Sequence, residues 1–329
     1  MKSSSLISTT VLAILAMPAS VSAQRSAFLA VTVASADVVN LYSVDGPQLK
    51  LVKMVSVGKS PGRMCLDPAD STLYVVVGTG AAAVDLNSQT VTGTMGDPAI
   101  QSPYGCIVSP DSRKLYLTDR KANTVFVFSL PGHQLLKKIS VPDDVRHGIY
   151  TTGHKSLIFS CGSGELAVVD PASDTVARTI RAVGLDPRNM VITPDGRYLA
   201  VALVSSDLMS WYHADTLEPV NSFGVTRSPQ GMVVAPNGER IYVTGYYEGV
   251  IGVIDLREKN AEGIGEWRQT STIPVGPAFS IAISSDSNYL YVCPADGVLT
   301  AVDLRSWKMV KSSSLKGAGN VLYINKGQS

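Results

Sequence analysis

Short apolar runs recur along the whole chain, separated by clusters of Gly, Pro, Asn, Asp and Ser. Leu73-Tyr74-Val75, Leu115-Tyr116-Leu117, Tyr198-Leu199-Ala200, Ile241-Tyr242-Val243 and Leu290-Tyr291-Val292 are typical. β-Branched and aromatic runs bounded by turn residues predict strands. Nowhere do apolar positions fall at the spacing of an amphipathic helix, so the pattern predicts an all-β chain.

Each run follows a turn: Asp67-Pro68-Ala69-Asp70, Ser109-Pro110-Asp111-Ser112, Thr193-Pro194-Asp195-Gly196, Ala235-Pro236-Asn237-Gly238 and Ser284-Ser285-Asp286-Ser287. Anchored on the second turn residue, the register runs 68, 110, 152, 194, 236 and 285, in steps of 42 with a last step of 49. Position 152 lies in a degenerate copy, Thr151-Thr152-Gly153-His154, but Leu157-Ile158-Phe159 follows on schedule. An insertion at 258–268 accounts for the long step. Third strands end in an Asp corner, as at Ala83-Val84-Asp85, Val168-Val169-Asp170, Val253-Ile254-Asp255 and Ala301-Val302-Asp303, and a fourth strand follows, as at 176–180. Four antiparallel strands per repeat of this length form a propeller blade. Six blades fall at 57–95, 97–141, 142–183, 184–225, 226–275 and 276–315. Three strands within 28–57 and one at 320–325 remain, and together they make a seventh blade shared by both ends. That joint removes the open edges of a linear array. The expected fold is a seven-bladed β-propeller closed by its termini.

Residues 1–23 read as a signal peptide. Lys2 is basic, 6–17 are apolar, and Val21-Ser22-Ala23 offers a cleavage site before Gln24. The chain is therefore expected in the secretory pathway, with 24–329 as one domain. No later apolar run is long enough to cross a bilayer, so no membrane span is expected. With 28 Lys and Arg against 27 Asp and Glu, the charge gives no footing for a nucleic-acid partner. Cys65, Cys106, Cys161 and Cys293 lie in or beside apolar runs without a close-spaced pair. They read as buried thiols rather than as two disulfides.

The start of each innermost strand of a propeller lies at one mouth of the central channel. Six and five residues before each anchor stand Gly62-Arg63, Tyr104-Gly105, Arg146-His147, Arg188-Asn189, Gln230-Gly231 and Phe279-Ser280, with Gly319-Asn320 on the last strand. Pro61, Pro103, Pro187 and Pro229 precede four of these pairs. Loops between second and third strands reach the same mouth with Asp119-Arg120-Lys121, Ser205-Ser206-Asp207, Tyr246-Tyr247-Glu248 and Asp296. The expected catalytic group is Arg146, His147, Arg188 and Tyr104, with Arg63, Asn189, Gln230, Phe279, Tyr246 and Asn320 as ligand contacts. Guanidiniums beside aromatic walls suit an oxygen-rich or anionic small molecule with an unsaturated body. The same side chains could instead hydrate the channel or bond loop carbonyls. Several arginines facing one channel would repel each other unless an anion or acidic partners lay between them.

Other chemistries are missing from the pattern. His133, His147, His154 and His213 show no zinc spacing, and no Gly-x-Ser-x-Gly, Walker or dinucleotide fingerprint occurs. No metal and no cofactor is expected. The funnel positions are also short of the carboxylates that a calcium-dependent lactonase needs.

The Ser-Pro-Asp turn, the Leu/Ile-Tyr-Val strand and Val253-Ile254-Asp255-Leu256 resemble the YVTN-repeat, YncE-like propellers over essentially the whole mature chain. In general build, a signal sequence ending Ser22-Ala23-Gln24 before one degenerate propeller, the chain is similar to the secreted hetero-Diels–Alderases of fungal tropolone–sesquiterpenoid pathways. That resemblance implies cofactor-free formation of a tropolone quinone methide and its cycloaddition to a humulene-type alkene in the funnel. Arg146 and Arg188 would hold the tropolone oxygens, His147 or Tyr104 would help water leave, and Phe279 and Tyr246 would shape the terpene pocket. Proximity can supply on the order of 7–11 kcal/mol to such a step. The alternative is a non-catalytic YncE-like propeller that binds a small molecule or a protein.

Overall fold

Apolar residues on both faces of a strand require cover on both faces, and a propeller provides it by stacking sheets around an axis. Tyr116 packs toward blade 3, whereas its neighbours Leu115 and Leu117 pack toward blade 1. The computed structural model describes residues 27–69, 71–181, 183–257, 267–295, 297–315 and 318–325. The predicted signal peptide with Gln24, Asp70, Asp296 and residues 258–266 of the insertion lie outside the described residues.

Seven four-stranded antiparallel sheets surround the channel. Blade 1 begins with the inner strand Met64–Leu66 and ends with the outer strand Thr90–Gly96. The inner strands of blades 2 to 6 are Pro103–Val108, Val145–Tyr150, Pro187–Ile192, Pro229–Val234 and Ala278–Ile283. Blade 7 takes its inner strand, Ala318–Asn325, from the C-terminal end and its other three from the N-terminal end. The joint pairs Phe28 with Ile324 and Val31 with Val321. Core clusters lie between successive blades, including one that joins blade 7 to blade 1 through Val39, Val55, Leu73 and Ile324.

The repeated turn residues have a clear physical task. Ser109 Oγ donates to Asp111 at 2.6 Å and accepts from Lys114 N at 2.9 Å, tying the turn to the next strand. Thr193 with Asp195 and Ser284 with Asp286 repeat the device. The corner aspartates close Asx turns, with Asp303 accepting from Arg305 N at 2.7 Å.

The cysteine expectation needs one correction. Cys65 and Cys106 form a disulfide, and Cys161 and Cys293 stay outside it as buried thiols. The two bonded cysteines are 41 residues apart, close to one repeat, so they occupy neighbouring inner strands at nearly equal depth. Sequence distance hides a proximity that the packing of successive blades creates.

Candidate functional site

A cavity of about 250 Å³ runs into the channel from the predicted mouth. One residue of each blade lines it at equal register, at or just before the inner strand: Arg63, Gly105, His147, Asn189, Gly231, Ser280 and Asn320. Two of these are glycines for a local reason. A Cβ on Gly105 would stand 2.6 Å from Arg146 O, and one on Gly231 would stand 2.9 Å from Phe279 O.

A β-bulge recurs at this level in blades 2 to 6, where the pairing of inner and second strands shifts register. Second-strand hydroxyls hold the bulge and stitch it to the next blade. Thr118 Oγ1 accepts from Gly105 N at 2.9 Å and donates to Arg146 O at 2.7 Å. Ser160 Oγ accepts from His147 N at 3.2 Å and donates to Arg188 O at 2.7 Å. Thr244 accepts from Gly231 N, and Thr32 from Asn320 N. Bulges of this kind re-aim side chains, and here they turn consecutive residues toward the mouth and the channel.

Around one arc of the mouth runs a continuous polar chain. Arg63 donates to the Tyr104 hydroxyl at 2.9 Å, and the Arg120 guanidinium lies 5.3 Å from the Tyr104 ring centroid. Arg120 bonds Asp144, which also accepts from Arg146 Nε at 3.0 Å. Arg146 reaches Asp186 at 2.9 Å, and Asp186 pairs with Arg188 at 3.2 Å. Arg188 then donates to Gln230 Oε1 at 2.6 Å, and Gln230 to Ser228 Oγ at 3.0 Å. Beyond the end of this arc, between blades 5 and 6, Tyr246 stacks on Phe279, centroids 4.2 Å apart. Phe279, Tyr247 and Leu185 form an exposed apolar margin at this mouth.

Electrostatics follow from this crowding. Burial and then the charges of Arg63, Arg146 and Arg188 push His147 well below its usual range, so it is neutral at pH 7. Its Nε2 is buried without a hydrogen-bond partner. Burial pushes the Tyr104 phenol up, but the charge and hydrogen bond of Arg63, with Arg188 and Arg146, outweigh it and bring it below its usual value. Burial likewise raises the Asp144 carboxyl, and the hydrogen bonds from Arg120 and Arg146 reverse the shift, leaving it below the usual carboxylate range.

All ten residues singled out from the sequence lie at this mouth or on the cavity wall, although their surroundings differ from the expectation in two respects. Arg146 is 5% exposed and clamped between Asp144 and Asp186, with Nη1 left unpartnered, so it sits behind the wall as a fixed support. The funnel is not short of carboxylates, since Asp144 and Asp186 separate the arginines and relieve their repulsion. Both stand two residues before an arginine already identified, at the repeat position occupied by Ser60, Ser102 and Ser228 in other blades. Asp144, Asp186, Ser60 and Ser228 adopt positive φ there, which Asp tolerates better than most residues. The Asp-x-Arg spacing was the available signal. Among the described residues no group of three or more His, Cys, Asp or Glu side chains comes together as a metal site, and no helix is long and apolar enough to cross a membrane.

No family model and no curated protein matches the sequence. Solved structures do match the fold. A candidate 6-phosphogluconolactonase of Bacteroides fragilis superposes with a TM-score of 0.80 at 12% identity, over 94% of this chain and 100% of that one. The periplasmic gluconolactonase of Pseudomonas aeruginosa gives 0.78 at 14% identity, over 92% and 100%. Hydrazine synthase of Kuenenia stuttgartiensis gives 0.64 at 22% identity, over 74% and 76%. At these identities the likeness is one of fold: the chain is a seven-bladed β-propeller built like the gluconolactonase-type propellers.

Proposed function

We propose that the chain is an exported, cofactor-free enzyme that holds an oxygen-rich conjugated molecule across the funnel mouth. The observation that carries this reading is a guanidinium arc and the Tyr246–Phe279 stack at one mouth, with Arg63 and Phe279 both lining the cavity. Three guanidiniums of the arc share two carboxylates and the fourth, Arg63, pairs with neither, which leaves donor capacity for an oxygen-bearing ligand.

The reaction we assign is the hetero-Diels–Alder cycloaddition implied by the resemblance, between a tropolone quinone methide and a humulene-type alkene. Arg63 and Arg188 hold the tropolone oxygens. Tyr104, the more acidic for its arginines, gives a proton to the departing hydroxyl, which leaves as water. The resulting phenolate takes the proton of the tropolone hydroxyl, so the quinone methide forms without net change in the protein. Cycloaddition then makes one C–C and one C–O bond at the expense of π bonds, and no further proton moves. Leu185, Tyr247 and Phe279 give the alkene an apolar margin to approach over. Donors aimed at the electron-poor partner stabilise charge that grows in the transition state.

Neutral His147 with an unpartnered Nε2, in a fold shared with gluconolactonases, favours a second reading in which this imidazole activates water for lactone opening. Incubation with a hydroxymethyl tropolone and humulene, read by chiral chromatography and mass spectrometry, separates the two when run beside a gluconolactone hydrolysis assay. We expect a single adduct enantiomer, formed about ten- to a hundredfold more slowly by Arg188→Ala. Racemic adduct at the uncatalysed rate, with tight tropolone binding, would reduce the protein to a binder. Hydrolysis without adduct would select the second reading.

A further inference from the structure

The large exposed apolar side chains away from the funnel are concentrated on one part of the rim. Met309 and Val310 lie on the outer strand of blade 6, Lys308–Ser314, and Leu51, Val52 and Met54 on that of blade 7, Gln48–Ser56. Val91 continues the stripe on blade 1, and Leu136 on the outer strand of blade 2, Leu135–Ser140, ends it. The outer strands of blades 3, 4 and 5, Thr175–Ile180, Pro219–Gly224 and Gln269–Pro274, carry none among the described residues.

Charge follows the same division. The outer strands of blades 6 and 7 contain two lysines each and no Asp or Glu, whereas those of blades 4 and 5 contain no charged residue. Lys50, Lys53 and Lys308 are exposed, and none pairs with an acidic group among the described residues. On blade 2, by contrast, Lys138 reaches Asp97 at 2.7 Å. Three exposed lysines without an acidic partner among the described residues thus stand beside this apolar stripe.

We propose that the rim of blades 6 and 7 docks edge-on against an anionic lipid surface. Leu51, Val52, Met54, Met309 and Val310 enter the acyl boundary, and Lys50, Lys53 and Lys308 meet lipid phosphates. The outer backbone edge of the blade 7 sheet stays at headgroup depth, where water solvates it. A second copy pairing along this edge would set Lys50 and Lys53 against like charges, and a nucleic acid has no use for the apolar side chains between them. The funnel opens on a flat face of the disc, so docking by the rim leaves it free.

Flotation of the full chain with phosphatidylglycerol-containing vesicles, beside vesicles of phosphatidylcholine alone, tests this. The chain is expected to float with the former and to stay in solution with the latter. Each lysine near such a surface contributes about fivefold in affinity, so Lys50→Glu with Lys53→Glu should weaken binding at least ~25-fold. Leu51→Ser with Met54→Ser should abolish flotation, and both pairs should keep the wild-type melting temperature. Failure of the wild-type chain to float with anionic vesicles overturns the proposal. So does full binding by the serine variant, or a concentration-dependent dimer that the same substitutions remove.

Discussion

Replacing Arg146 by Met removes the centre of the polar arc while keeping much of its volume. The side chain is 6% exposed and meets Asp144 through two nitrogens and Asp186 at 2.9 Å. Breaking a fully buried ion pair costs about 3–5 kcal/mol, mostly because a charge is left stranded. Here the stranded carboxylates are 29% and 17% exposed, and each keeps a second guanidinium, from Arg120 and Arg188. Solvent and these partners reduce the cost, so we expect a loss of about 2–3 kcal/mol at pH 7. For a chain of this size that corresponds to a fall in melting temperature of roughly 4–6 °C. Arg188→Ala, with its side chain 24% exposed at the end of the arc, should cost under about 1 kcal/mol.

The pH dependence distinguishes this origin from simple packing. Asp144 has a folded value below its unfolded one, so its contribution is complete above the unfolded value and is lost as pH falls through the folded one. The stability gap between wild type and Arg146→Met should therefore be full at neutral pH and close in acid. Denaturant titrations followed by circular dichroism across the carboxylate range measure it directly. A gap under about 0.5 kcal/mol at pH 7, or one that stays constant into acid, would refute the assignment of Arg146 as a support held by two carboxylates.

Three other outcomes are expected. Truncation after Leu315 removes the inner strand of blade 7 with buried Val321 and Ile324, each worth about 1.5–3 kcal/mol; an unchanged, cooperative melt would rule out closure by the termini. In an ultraviolet tyrosinate titration, one tyrosine should ionise below its ordinary value and move up in Arg63→Met, because the Arg63 charge and hydrogen bond that favour the phenolate are gone; no change would remove Arg63 as the cause. Thiol titration of the denatured, unreduced chain should find two reactive cysteines, Cys161 and Cys293, and four after reduction; four before reduction would exclude the Cys65–Cys106 bond.

The sequence by itself determined the blades and their number. A strand buried on both faces must be apolar at successive positions, and a turn that returns the chain must place Ser, Thr or Asp where their oxygens can meet backbone N–H groups. Those are local demands, so they recur with the repeat, and even the shared seventh blade can be read by counting what is left over. The same register placed Arg63, Tyr104, His147, Asn189 and Phe279 at one mouth, because equivalent positions in a closed ring must lie at equal height. Tertiary structure alone decided what these residues meet. Asp144 lies two residues from Arg146, but its second partner, Arg120, comes from a loop of the preceding blade, and Asp186 receives Arg146 from the preceding blade as well. Cys65 finds Cys106 in the same way, across the gap between two inner strands. Contacts between blades depend on the angle and spacing at which whole sheets pack, to which every strand contributes, so no short stretch of sequence records them.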